Sequence, residues 1–371
     1  MTRTPSWFQR YLLPGLAFKA VVIGGGYATG RELAEYFLPA GPWGGLAAML
    51  LAMLIWSGVC VVTFEFARAT GAEDYRSFFR ALLGRFWPIF EITYLLFVVL
   101  ILAVFGAAAG AIAHAVLGVP PILGTLALML AIAGVATFGN ESVERLFKYV
   151  SILLYAVYAI FLILALTQFG DRIGAAFAAP AQPLPWAAGG ITYAAYNIVG
   201  AVVILPVTRH FIRPRDAVIA GLVAGPLAML PAILFFLSMS AFMPGIATEI
   251  LPSDFLLVRL GSPLFHLVFQ VMIFAALLES GTGAVHAINE RIAAAWRSGR
   301  DTELSGRLRL FFALILLATC MLLADRVGLV ALIANGYRLL AYALLAVYVL
   351  PLLTIGLLRL IRRRRLPLEV A

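Results

Sequence analysis

The sequence predicts an all-α integral membrane protein: ten transmembrane helices in two inverted five-helix repeats, with helices one and six discontinuous. Three observations predict this. Of 371 residues, 63% are hydrophobic and only 12% are charged, with a mean hydropathy of +1.01, whereas a soluble domain carries about 25% charged residues. Apolar runs of about 18 residues or more recur from end to end, each long enough for a membrane helix. The first apolar span of each half is interrupted at comparable depth. This composition excludes a soluble enzyme and a nucleic-acid-binding module. It also excludes an outer-membrane barrel, whose strands alternate polar and apolar residues.

The spans run 12–38, 44–67, 88–117, 121–138 and 149–168, then 187–209, 216–242, 263–292, 308–323 and 328–350. Residues 1–168 form the first repeat, 169–186 an extracytoplasmic connecting loop, 187–350 the second repeat and 351–371 a basic cytoplasmic tail. The third span is the longest in each half, and an odd number of spans per half sets the halves in opposite orientations. Between spans, 73–83 reads as a short amphipathic helix and 243–262 as containing another. Arg362 to Arg365 suit anionic lipid headgroups.

Basic residues set the orientation. With the N-terminus in the cytoplasm, 22 of the 27 lysines and arginines fall on that side. Arg172, Arg259, Arg326 and Arg31 fall on the outer side or in the outer half of span one, and Arg338 lies within span ten. This is a strong positive-inside asymmetry and places both termini in the cytoplasm. Cys60 and Cys320 lie inside apolar runs, form no metal-binding spacing and read as small core residues. The first apolar segment is not followed by a signal-peptidase pattern.

Span one breaks at Gly24-Gly25-Gly26-Tyr27-Ala28-Thr29-Gly30. Each glycine costs a helix about 1 kcal/mol relative to alanine. Span six has Tyr196-Asn197-Ile198-Val199-Gly200 at the matching depth. Unwound backbone in a membrane is tolerated where it is buried in protein or lines a cavity, and it frees amides and carbonyls for ligands. Close helix packing is the alternative use of such glycines.

The run Gly24 to Glu32, with Glu279-Ser280-Gly281-Thr282-Gly283 and His286-Ala287-Ile288-Asn289-Glu290-Arg291, resembles motifs of the YkvI-like bacterial membrane proteins. That family belongs to the amino acid–polyamine–organocation superfamily, with the LeuT-type 5+5 fold. The span pattern covers nearly the whole chain and the motifs only two short segments. The resemblance implies a ten-helix transporter fold. It also implies that the backbone of Gly24, Gly25 and Gly26 receives a substrate carboxylate, with Tyr27 and Thr29 lining the site. In LeuT-like folds hydroxyls on helix eight complete a sodium site, a role the resemblance places on Ser280 and Thr282.

Other candidates follow from the residues. Thr29-x-x-Glu32 is either a capping box or a pair in contact with substrate. Arg31 near the outer end needs a carboxylate or an aqueous cavity; with Arg338 it is a candidate gate, with Glu32, Glu35 and Asp325 as candidate partners, or a solvated vestibule residue. Glu279 lies mid-span, where an ionisable group is a functional candidate by default. It either takes up a proton or pairs with Lys19 or Arg338. Tyr196 and Asn197 suit a substrate amine or hydroxyl, or helix packing.

Two function classes follow. One is a secondary transporter of a small organic solute, an amino acid or related amine, coupled to sodium or protons and working by alternating access. The other is a ligand-binding sensor on the same fold. The chain has no Walker motif, H-E-x-x-H or G-x-S-x-G, so neither ATP-driven pumping nor enzyme chemistry is expected. No soft-ligand set for a transition metal stands at either break. No cofactor or nucleic-acid partner is expected; the partners are the solute and the bilayer.

Overall fold

The computed structural model describes residues 5–138, 141–180, 185–299 and 305–365. Those residues are helical with no strand among them. Each expected span coincides with helix. Six helices are long and apolar enough to cross a membrane, seven if one bent pair counts as a single span; Pro121–Ala136 and Ala187–Val203 are shorter apolar helices. The chain is a multi-pass membrane protein.

The N-terminal segment enters through a π-helical turn, Phe8–Leu12, into α1 (Leu13–Val22). Ile23 ends α1 with φ −79° and ψ 75°, and the Gly24 N–H donates to the Val22 carbonyl at 2.9 Å. This is an inverse γ-turn, which leaves the helical path. A single turn, α2 (Gly25–Ala28), precedes Gly30 at φ +78° and then α3 (Arg31–Tyr36). The long helix α4 (Gly41–Thr70) starts with Pro42 in its first turn and stops at left-handed Gly71.

Next come α5 (Tyr75–Leu83), α6 (Trp87–Leu117), α7 (Pro121–Phe138) and α8 (Glu141–Gln168). The amphipathic helix α5 is capped reciprocally by Asp74 and Ser77 and buries Phe78, Phe79 and Leu82. Residues 169–186 are more than a loop: α9 (Gly170–Ala178) follows α8 at a bend of 65°. Phe169 and Arg172 pack on Phe242, which gives this segment a docking surface.

The second half opens with α10 (Ala187–Asn197), α11 (Gly200–Val203) and a 3₁₀ segment, Leu205–His210. The interruption at Ile198-Val199 keeps right-handed torsions and tightens to three-residue bonds, so it is milder than the first break. Then follow α12 (Pro214–Ser240), α13 (Pro252–Leu260), α14 (Pro263–Gly299) and α15 (Gly306–Val327). The last span combines α16 (Leu329–Ala331), a π-helical stretch Leu332–Tyr337, α17 (Arg338–Leu344), two further π segments and α18 (Leu357–Arg365).

The core is assembled by close backbone approach. A Cβ on Gly221 would stand 2.5 Å from the Val61 amide nitrogen, and one on Gly225 would meet Ser57 and Met53. These glycines let α12 lie directly along α4, and α1 packs on the other flank of α12. The outer surface of the bundle is apolar, with Leu54, Leu96, Val271 and Leu339 among its exposed residues. Cys60 and Cys320 are free and buried.

Candidate site between the broken helices

The first break is held from outside. The Ser253 N–H donates to the Thr29 carbonyl at 2.9 Å, so α13 docks on the turn between α2 and α3. Gly30 is required by sterics: a Cβ there would lie 2.9 Å from Phe235 Cζ and 3.1 Å from Pro252 Cβ, at a torsion L-residues avoid. Gly24 is less constrained, since its Cβ would meet Phe105 at 3.6 Å. Gly25 and Gly26 form the backbone of α2; their surroundings lie outside the described residues.

The expected capping box does not form. The residue capping α3 is Gly30, which makes no side-chain cap. The Glu32 carboxylate instead accepts a hydrogen bond from the Tyr196 hydroxyl at 2.5 Å, while Thr29 Oγ1 lies 3.4 Å from the Arg31 N–H. The capping geometry is lost because the αL glycine shifts the helix start one residue beyond Thr29. One bond therefore joins the two interrupted segments, α3 to α10. Glu32 and Thr29 are both buried.

Tyrosines surround Glu32. Tyr196 bonds its carboxylate, and Tyr36, Tyr193 and Tyr337 pack ring to ring with Tyr196. Ring centroids are 4.5 Å apart for Tyr196–Tyr337, 5.6 Å for Tyr193–Tyr196 and 5.7 Å for Tyr36–Tyr196. Tyr158 joins from α8, 6.2 Å from Tyr27. Sequence reasoning missed Tyr36, Tyr158, Tyr193 and Tyr337. The i, i+4 spacing of Glu32 and Tyr36 and the i, i+3 spacing of Tyr193 and Tyr196 each mark one helix face and were the available signal. Asn197 is only partly available, because its amide donates to the Tyr193 carbonyl of its own helix.

Arg31 is buried, with both terminal nitrogens bonded and its Nε without a hydrogen-bond partner. Nη1 donates to the Ala247 and Glu249 carbonyls, each at 2.8 Å, and Nη2 to Glu35 at 3.0 Å. Arg338 approaches the other Glu35 oxygen at 3.9 Å. Glu35 thus bridges the two predicted gate arginines. Asp325 instead lines a separate cavity of about 650 Å³ with His114 and Asp254.

On the opposite side of the break, Glu279 and Ser280 line a cavity of about 210 Å³ with Ala20, Ile23 and Tyr155. The Lys19 ammonium sits 4.2 Å from the Tyr155 ring centre. Thr282 donates to the Leu278 carbonyl and does not line that cavity, so Ser280 and Thr282 are not brought together there. Arg338 is committed to the outer side with Glu35, away from Glu279.

At the start of α12, Asp216 accepts from Tyr11, Ile212 and Arg213 at 2.9, 2.9 and 3.1 Å, with Arg10 at 3.9 Å. Glu65 pairs with Arg68 through both carboxylate oxygens. Arg291 lies over the Tyr94 and Tyr75 rings and 3.6 Å from Glu91. Ion pairs therefore stand at the start of α12, near the end of α4, between α6 and α14, and around Glu35.

No family model matches the chain. It is similar to the membrane protein YkvI of Bacillus subtilis (strain 168), with 24% identity over 339 residues, covering 89% of this chain and 92% of that protein. Among solved structures, MhsT in complex with L-phenylalanine aligns with a TM-score of 0.57 and 18% identity, over 96% and 97% of the two chains. An Eremococcus coleocola manganese transporter aligns at 0.59 and 15%, over 97% and 88%. A Na+-coupled sialic acid symporter aligns at 0.60 and 12%, over 95% and 82%. The chain shares the fold of these three solved structures along nearly its whole length.

Proposed function

We propose that the chain is a cation-coupled secondary active transporter of a small organic solute, an amino acid or related amine, working by alternating access in the bacterial inner membrane. One observation carries this reading. A buried carboxylate, Glu32, joins two interrupted helices through Tyr196, and charged networks stand apart from each other at Arg31–Glu35–Arg338 and at Arg10–Asp216. An enclosed polar centre with separable ionic closures on either side is what alternating access needs.

In this reading the chain has ten spans as two inverted repeats, with both termini in the cytoplasm. The solute contacts Tyr27, Thr29, Glu32, Tyr196 and Asn197, with the glycine backbone of Gly24, Gly25 and Gly26 beside them. Arg31 and Arg338, tied by Glu35, form the outer gate. Glu279, with Ser280 and Thr282 on the same helix, couples solute movement to a sodium ion or a proton.

Thermal-shift measurements on purified protein, with amino acids, amines and osmolytes, with and without sodium and at two pH values, test the reading. A solute at 100 times its dissociation constant stabilises the folded state by about 2.7 kcal/mol. A hit whose size depends on sodium or pH supports coupling. A hit indifferent to both counts against it.

A further inference from the structure

The tyrosine cage identifies the charge of the solute. Glu32 is 5% exposed and lies deep in the bundle, where an ionised carboxylate requires a cation. Among the described residues none supplies one. The neighbouring Arg31 turns away to Glu35 and two carbonyls, and the hydrogen bond Glu32 receives comes from an uncharged phenol.

The walls reinforce this. The Tyr193 hydroxyl oxygen is buried without a hydrogen-bond partner, and among the described residues the buried hydroxyls of Tyr27 and Tyr158 have no neighbour to bond but each other. Buried polar groups are almost always satisfied, so an unpartnered hydroxyl beside a buried carboxylate marks a place for a ligand's polar group. Phenol oxygens accept N–H donors, and tyrosine rings attract a cation that lies over their faces. A solute carboxylate there would meet the Glu32 charge at short range, in a setting with little water to screen it.

Resting on the transporter reading above, we propose that the solute is a small organic cation. Its ammonium group pairs with Glu32 inside the cage of Tyr27, Tyr36, Tyr158, Tyr193, Tyr196 and Tyr337, and a carboxylate on the solute weakens binding. Selectivity then depends on the side chain of Glu32 and not on the glycine backbone.

The test uses matched pairs that differ by a carboxylate: tyramine and tyrosine, agmatine and arginine, and cadaverine and lysine. Binding is measured by calorimetry on the purified full chain. At least one amine is expected to bind about tenfold or more tightly than its carboxylated counterpart, a difference of about 1.4 kcal/mol. Glu32→Gln is expected to remove that preference while the ligand-free melting temperature holds, and Glu32→Asp, which keeps the charge, to retain part of it. If Glu32→Gln fails to fold, Tyr193→Phe and Tyr27→Phe serve instead: each is expected to reduce amine affinity several-fold with the carboxylate retained. Tighter binding of the carboxylated partners, binding indifferent to these variants, or silence across all pairs overturns the cation assignment. Gradient-driven uptake of some other solute would then leave the transporter reading intact, whereas amine binding without uptake would overturn transport and keep the cage.

Discussion

Replacing Gly30 by alanine tests the construction of the first break. Two costs arise. The residue sits at φ +78°, and a left-handed torsion costs a β-carbon residue roughly 1–2 kcal/mol. The new Cβ would stand 2.9 Å from Phe235 and 3.1 Å from Pro252, an overpacking typically costing about 1–3 kcal/mol. Lower entropy of the unfolded chain offsets roughly 0.4–1 kcal/mol. The balance predicts that Gly30→Ala destabilises the protein by about 3 kcal/mol. Gly24→Ala is the control: its Cβ meets Phe105 at ordinary contact distance and its φ is not in the left-handed region. It is expected to change stability by less than about 1 kcal/mol. Reversible unfolding in mixed micelles measures both. Equal effects of the two substitutions, or a Gly30→Ala loss below about 1 kcal/mol, would refute this account of which glycine shapes the break.

Three further perturbations probe the periphery. Arg31→Met strands Glu35 and two carbonyls, so it should cost roughly 3 kcal/mol in the same unfolding assay, and Arg31→Lys should recover only part because it lacks the planar fork. Asp216→Asn weakens the tie between Tyr11, Arg10 and the start of α12; a loss of about 1.5–3 kcal/mol and faster protease cleavage near residue 10 are expected, and unchanged cleavage would show that the contact is not a latch. Glu279→Gln should abolish gradient-driven uptake with expression intact; full uptake by this variant would remove Glu279 from coupling.

Much of the architecture is legible in the sequence because a bilayer allows so few solutions. Long apolar runs place the helices, and glycine clusters with polar neighbours place the interruptions. The connecting segment 169–186 was harder to read. Its helix α9 has a modest apolar content and is recognisable by its docking on Phe242, a contact remote in sequence. The site was legible in its charged members and not in its walls. Glu32 and Arg31 stand out as ionisable groups in an apolar span, whereas tyrosines at 158, 193 and 337 look like ordinary membrane aromatics until folding brings their hydroxyls together. The Thr29-x-x-Glu32 spacing suggested a cap because local pattern carries no knowledge of Tyr196, 164 residues away in sequence, which captures the carboxylate first. Likewise, Ser280 and Thr282 look alike in sequence, yet helical geometry turns only Ser280 toward the Glu279 cavity.

Uptake into liposomes by the reconstituted protein tests the central claim most directly. The solute giving the largest thermal shift is followed under an inward sodium gradient, an inward proton gradient, or neither. The account predicts accumulation above the external concentration under one of the two gradients, collapse when that gradient is dissipated, and none in liposomes carrying Glu279→Gln. Tight binding of the solute with no accumulation under either gradient would contradict it and would identify the protein as a binding module on a transporter fold.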